Sequence, residues 1–130
     1  MTKIPPQNLE AEQSVLGSLM IDKDAIYKVV DLLSSADFYK SSHGRIYEAI
    51  ISIYSKNDPI DILTVSSKLK EINQLEDVGG STYLTDLING VPTSSHVAYY
   101  AKKVKDQKIL RDLISASSEI TEQAFNQPGD

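Results

Sequence analysis

Residues 93–125 read TSSHVAYYAKKVKDQKILRDLISASSEITEQAF. Their apolar spacing predicts one helix of about 30 residues, whose start Thr93, Ser94 or Ser95 can cap. At about 1.5 Å per residue this helix is roughly 45 Å long, whereas a helix of ~20 residues already crosses a small domain. Part of it must therefore extend beyond a compact body or meet a partner.

On a helical wheel at about 100° per residue, the apolar residues of this helix fall on two nearly opposite sides. The near face, in the first half, consists of Val97, Tyr100, Ala101 and Val104. The far face, in the second half, consists of Ile109, Leu110, Leu113, Ile114 and Ile120, with Ala116 and Ala124 in line. The change of side falls in the polar run at 105–108.

A single core cannot lie on both sides of a straight helix, so we expect the near face to pack on the body. Burying one large aliphatic side chain contributes roughly 1.5–3 kcal/mol, and an exposed row of them is a liability. The far face is therefore a predicted oligomer or partner interface. Two alternatives are that the helix breaks near Lys105 and folds back, or that its far end frays.

Residues 1–92 predict a head of shorter helices, separated where prolines 5, 6, 59 and 92 interrupt the chain. The predicted helices are Leu9–Ile21 capped by Asn8, one from Asp22 or Asp24 carrying Ile26, Val29, Val30 and Leu33, one over Ser42–Lys56, one from the Asp61 cap to Ile72, and one over Ser81–Asn89. A strand is the alternative for the third, which is rich in β-branched residues. Gly90 suits a left-handed helix end.

The fold class is thus all-α, with a compact multi-helix head at 1–92 and a long C-terminal helix within 93–130. A chain of 130 residues has room for one domain. It has no cysteine, no membrane-length apolar run and no signal-peptide pattern. These features predict a soluble, intracellular protein without disulfides or thiolate metal sites.

The formal charge of −5 is concentrated in the head. Residues 1–92 hold 8 basic and 13 acidic side chains, whereas residues 93–130 hold 5 of each. An acidic body disfavours broad phosphate binding. The one basic cluster, Lys102, Lys103, Lys105, Lys108 and Arg111, spreads around the long helix, which indicates a solvated surface more than a nucleic-acid stripe.

The sequence predicts no catalytic, cofactor-binding or metal-binding residues. No glycine precedes a lysine, so a phosphate-binding loop of the Gly-Lys-Ser/Thr type is excluded. His43 and His96 lack metal-ligand spacing, and a packing or capping role is predicted for His43. The pairs Glu10–Glu12 and Asp22–Asp24 lie where acidic residues suit a helix N-terminus.

The run Pro5-Pro6-Gln7-Asn8-Leu9-Glu10-Ala11-Glu12-Gln13-Ser14-Val15-Leu16-Gly17 resembles the opening signature of bacterial DnaB-type replicative DNA helicases. Further family-like pieces follow in order: Asp37-Phe38-Tyr39 with His43, Ile46 and Tyr47; Asp61 with Thr64; Gly79-Gly80 with Tyr83-Leu84 and Leu87; Val91-Pro92-Thr93; and Tyr100-Ala101, Val104 and Leu110-Arg111-Leu113-Ile114. The resemblance covers Ile4 to about Ala124.

The resemblance implies the N-terminal collar of a two-tier hexamer, commonly a trimer of dimers. It implies docking of the primase C-terminal domain and of a helicase loader, with DNA reached through the hexamer, no membrane, and a cytoplasmic location at the replication fork. The long helix would be the first arm of a helical hairpin. The second arm and the RecA-like motor, with its ATP and Mg, would lie outside the chain. A nucleic-acid-binding helical module and the helicase-binding domain of a primase are the alternatives.

Overall fold

The computed structural model describes residues 3–127, which form five α-helices and no strand. The helices are α1 (Leu9–Ile21), α2 (Ser41–Ser55), α3 (Ile62–Glu71), α4 (Gly80–Asn89) and α5 (Val97–Asn126). Short 3₁₀ turns occupy Ala25–Lys28, Ser35–Asp37 and Ser94–His96. The all-α class and the long last helix are confirmed.

Helix α1 is the centre of the head and contacts each of the other four helices. The Asn8 side chain caps it by accepting from the Ala11 amide at 3.0 Å, as predicted. Its Val15, Leu16 and Leu19 are fully buried. Gly17 permits close approach to α4, because a Cβ there would lie 2.3 Å from the Leu87 carbonyl oxygen.

Helices α2 and α3 cover α1 from another side, and both were located correctly from the sequence. Ile46, Tyr47 and Ile50 of α2 are buried, so the strand alternative for this segment is wrong. Asp61 caps α3 by accepting from the Thr64 amide at 2.9 Å. These contacts complete one hydrophobic core within the head.

The predicted helix beginning at Asp22 or Asp24 is wrong as an α-helix. The Asp22 carboxylate accepts from the Asp24 amide at 2.9 Å, a local turn that competes with helical bonding. The chain then follows the 3₁₀ turn Ala25–Lys28 and further turns. The apolar spacing nevertheless identified residues that pack in the core, because Ile26, Val29 and Leu33 are buried and Val30 is partly buried.

The left-handed conformation expected at Gly90 is also wrong. Gly90 has φ −87°, and its amide bonds back to the carbonyls of Asp86 and Ile88. Left-handed residues follow α2 and α3 instead, at Asn57 and Asn73, both with φ 59°. Asparagine tolerates this conformation better than most residues, so it terminates these helices in place of glycine.

Helix α5 is continuous from Val97 to Asn126. The alternative in which it breaks near Lys105 and folds back is therefore wrong. The alternative in which the far end frays finds no support within the described residues, because the α-helix runs through Asn126.

Candidate functional site

The two halves of α5 have opposite environments. Val97, Ala101 and Val104 of the near face are at most 1% exposed and belong to the core. The five aliphatic residues of the far face are between 44 and 67% exposed. The change of face predicted from the helical wheel is therefore present in the fold. Whether the far face is an interface stays a prediction.

Arg111 ties the middle of α5 to the head. Its guanidinium donates to the carbonyl oxygens of Pro6 at 2.8 Å and Asp37 at 2.9 Å, and it lies 5.4 Å from the centre of the Tyr39 ring. Lys105, six residues earlier, reaches the buried Asp37 carboxylate at 3.2 Å. We call these contacts of Arg111 and Lys105 the latch.

The latch corrects the interpretation of the basic cluster as a solvated surface. Arg111 and Lys105 hold the head, and Lys108 pairs with Asp112 at 2.9 Å. Arg111 in particular donates to main-chain carbonyl oxygens, and charge patterning along the sequence does not reveal such a contact. This use of three of the five basic residues also disfavours a nucleic-acid stripe along the helix.

A groove of about 510 Å³ lies where the starts of α1 and α5 meet α4. Its lining combines three tyrosines with two carboxylates, one lysine and small residues: Asn8, Glu10, Ala11, Gln13, Ser14, Tyr83, Asp86, Leu87, Gly90, Pro92, Tyr99, Tyr100 and Lys103. Tyr99 is more than half exposed. Aromatic rings beside polar groups suit recognition of a protein surface.

A buried pair of polar side chains, Glu12 and His43, lies behind this groove and was missed in the sequence. Glu12 is 1% exposed and His43 is fully buried, with 2.8 Å between the Glu12 Oε1 and His43 Nδ1 atoms. The Glu12 carboxylate also accepts from the Tyr39 amide at 2.7 Å and the Lys40 amide at 3.4 Å. Glu12 thereby satisfies amides at the start of α2, which has no side-chain cap of its own.

The helix-dipole interpretation of Glu10 and Glu12 thus holds at most for the exposed Glu10. A signal for Glu12 was available, since it lies three and four residues before the buried Val15 and Leu16. It therefore stands on the core face of α1, where an acidic residue needs a partner. The packing role predicted for His43 is confirmed.

The second ring nitrogen of His43 faces the groove wall. His43 Nε2 lies 2.5 Å from the Tyr83 hydroxyl, and the two rings stack at 5.9 Å with 13° between their planes. The Lys40 ammonium lies 3.4 Å from the same hydroxyl and 4.7 Å from the ring centre. A chain of contacts therefore runs from the core to a residue that lines the groove.

Among the described residues, Tyr47 is the one whose pKa departs clearly from its ordinary value. Burial raises its pKa to about 12, with the Asp37 and Asp31 charges adding to the effect. Its hydroxyl donates to the Leu33 carbonyl oxygen at 2.9 Å. This tyrosine lies in the head core and is not part of the groove.

Among residues 3–127, acidic and histidine side chains do not gather into a group of three or more that could hold a metal ion. Within the same range, no helix combines the length and apolarity required to cross a membrane.

The described chain is thus a helical head with a tyrosine-lined groove, continued by a long helix with an exposed apolar face. The sequence model of the DnaB-like helicase N-terminal domain matches residues 4–106. The chain belongs to that family.

Two solved structures and one curated relative are similar to this chain over nearly its whole length. The N-terminal domain of DnaB helicase from Mycobacterium tuberculosis superposes with a TM-score of 0.91 at 39% identity, covering 94% of this chain and 88% of that one. A DnaB-like replicative helicase, solved for its interactions with primase, gives 0.80 at 26% identity, covering 93% and 29%. The replicative DNA helicase DnaC of Bacillus subtilis is 41% identical over 125 residues, which are 96% of this chain and 28% of that protein. The chain thus spans little more than a quarter of this relative's length.

Proposed function

We propose that this chain is the N-terminal collar domain of a replicative DNA helicase, with the head at 1–92 and the first arm of a helical hairpin at 93–130. The observation that carries the proposal is the far face, which is exposed on a helix whose near-face residues Val97, Ala101 and Val104 are buried. The partner for the far face is a second hairpin arm or the arm of a neighbouring protomer. The assembly is a dimer, or a trimer of dimers within a hexamer.

The parent protein, in this proposal, unwinds DNA in the 5′ to 3′ direction with ATP and Mg in a RecA-like motor domain. DNA is reached through the hexamer, a helicase loader places the ring, and the protein acts in the cytoplasm at the replication fork. The names of the relatives support the helicase assignment. The 130 residues themselves contain no phosphate-binding loop, so we expect no ATPase turnover above blank from this purified chain.

The groove at the base of α5 is the proposed docking site for a primase C-terminal domain. One similar structure is of a helicase with its interactions with primase. Within this chain, the groove offers three tyrosines next to carboxylates, a composition typical of the energetically important centre of an interface. Its position where head and arm meet lets one partner contact both.

Calorimetric titration with a primase C-terminal domain tests the docking role. We expect saturable binding that weakens by about tenfold or more in Tyr99→Ala, since truncation of a central aromatic commonly costs over 1 kcal/mol. Tyr27→Ala is the matched control, because Tyr27 is similarly exposed but lies outside the groove. Equal binding by the two variants would contradict the groove assignment.

Light scattering tests the far face separately. We expect the parent chain to self-associate and the double variant Leu110→Asp with Leu113→Asp to be monomeric. Leu63→Asp is the control, since Leu63 is an exposed leucine on α3. If the unsubstituted 130-residue chain is already monomeric at high concentration, self-association through this face is contradicted.

A further inference from the structure

The Glu12–His43 pair ends on a residue of the groove, and this gives the pair a role beyond stability. We infer that Glu12 and His43 act as positioning residues that make the Tyr83 hydroxyl a hydrogen-bond acceptor toward the groove. A docked protein domain would then have to present an N–H donor at this point. The inference rests on the proposed docking function of the groove.

The direction of each hydrogen bond follows from which atoms carry protons. The Glu12 carboxylate has only acceptor atoms, and it already accepts from the Tyr39 and Lys40 amides. His43 Nδ1, 2.8 Å away, must therefore donate to it. A neutral imidazole carries a single ring proton, and this proton is then the one on Nδ1.

With its single proton on Nδ1, the imidazole of His43 has a free lone pair on Nε2. The Tyr83 hydroxyl at 2.5 Å must then donate to Nε2. Its only proton is consumed in this bond, so the oxygen can offer nothing but lone pairs elsewhere. The Lys40 ammonium approaches one of them at 3.4 Å, and the other is free to accept from a partner.

The surroundings of Tyr83 agree with this polarity. The His43 ring stacks on one side of Tyr83 and the Lys40 ammonium lies over its face, so the phenol ring has little freedom to turn. Glu10 and Asp86 line the same groove, and carboxylates are also acceptors. The groove therefore offers hydrogen-bond acceptors that suit N–H donors on a partner, such as those of arginine, lysine or amide side chains.

Nitrogen NMR of the histidine rings tests the first step on the free chain. The protein has two histidines, and the exposed His96 serves as the internal reference. We expect long-range ¹H–¹⁵N spectra to show His43 with its proton on Nδ1 and an unprotonated Nε2. A proton on Nε2, whether alone or with a second on Nδ1, would overturn the inference because Tyr83 would then accept from the ring.

A double-mutant cycle in calorimetric titrations with a primase C-terminal domain tests the second step. Tyr83→Phe removes the hydroxyl, and His43→Asn keeps an N–H for Glu12 but offers nothing to Tyr83. We expect each change to weaken binding by about tenfold, in line with one net hydrogen bond. The double variant should bind no more weakly than either single variant, because both remove the same oriented acceptor.

Additive losses, or parent-like binding by Tyr83→Phe, would overturn the inference. Tyr99→Ala separates this failure from failure of the docking site, since Tyr99 lines the groove without contacting His43. If Tyr99→Ala weakens binding and Tyr83→Phe does not, only the inferred acceptor role of Tyr83 is contradicted. If neither variant weakens binding, the docking site itself is contradicted. If His43→Asn does not fold, the ring spectra and Tyr83→Phe decide alone.

Discussion

The two halves of α5 share a helix and a similar apolar content but differ in what they contact. In the first half, Val97, Ala101 and Val104 complete the head core. In the second half, equally apolar residues lie exposed, and every described residue of α5 after Arg111 is exposed to solvent. The difference shows that apolar periodicity identifies a face that requires a partner, while the fold decides whether that partner lies within the chain.

A matched pair of aspartate substitutions tests this difference most strongly. Val104→Asp places a carboxylate in the core without a partner, which we expect to cost on the order of 4 kcal/mol or to unfold the head. Leu113→Asp on the far face should change the free energy of unfolding of the monomer by less than about 0.5 kcal/mol. Urea denaturation at low protein concentration measures both, and equal losses would break the distinction between the halves.

Glutamates give a second comparison of the same kind. Glu12→Ala leaves His43 and the Tyr39 and Lys40 amides just before α2 without their buried partner, so we expect the free energy of unfolding to fall by about 3 kcal/mol. Glu122→Ala, on the exposed far half, should have almost no effect. A small loss in Glu12→Ala would mean that water can replace the carboxylate.

Sequence patterns located all five α-helices to within a few residues, because apolar spacing and caps such as Asn8 and Asp61 are local signals. The segment after Asp22 was misassigned as a helix, since the spacing of Ile26, Val29 and Leu33 fits both a helix and a series of turns. The sequence also marked the far face as exposed apolar surface.

The groove and the latch could not be predicted, because they depend on contacts between distant segments. Arg111 reaches Pro6 across 105 positions, and Tyr83 reaches His43 across 40. Charge patterning along α5 contained no sign that a main-chain carbonyl would be the partner of Arg111. Long-range polar contacts can therefore be identified only from the fold, whereas the apolar faces of α5 could be predicted from sequence spacing alone.

Alkaline pH should destabilise the head through Tyr47. Its pKa is raised to about 12 from an ordinary value near 10, so the fold favours the neutral phenol. The resulting stabilisation, on the order of 2 kcal/mol, is fully present below pH 10 and is lost as the pH rises to 12. Tyr47→Phe should be about 1 kcal/mol less stable than the parent at pH 8 and should approach or exceed it by pH 12. A constant difference across this range would contradict the shift.

The smallest effect is expected at the boundary between the two halves. Arg111→Met keeps much of the side-chain length but removes two hydrogen bonds to the Pro6 and Asp37 carbonyls, which should cost about 1–2 kcal/mol. Lys108→Met, which breaks an ion pair between α5 residues only, should cost no more than about 0.5 kcal/mol. Hydrogen exchange would locate the loss: we expect faster exchange at α5 amides next to the latch and unchanged exchange in α1. If exchange rises equally throughout the head in Arg111→Met, the latch is part of the core fold, and the boundary between the two halves lies further along α5 than the structure indicates.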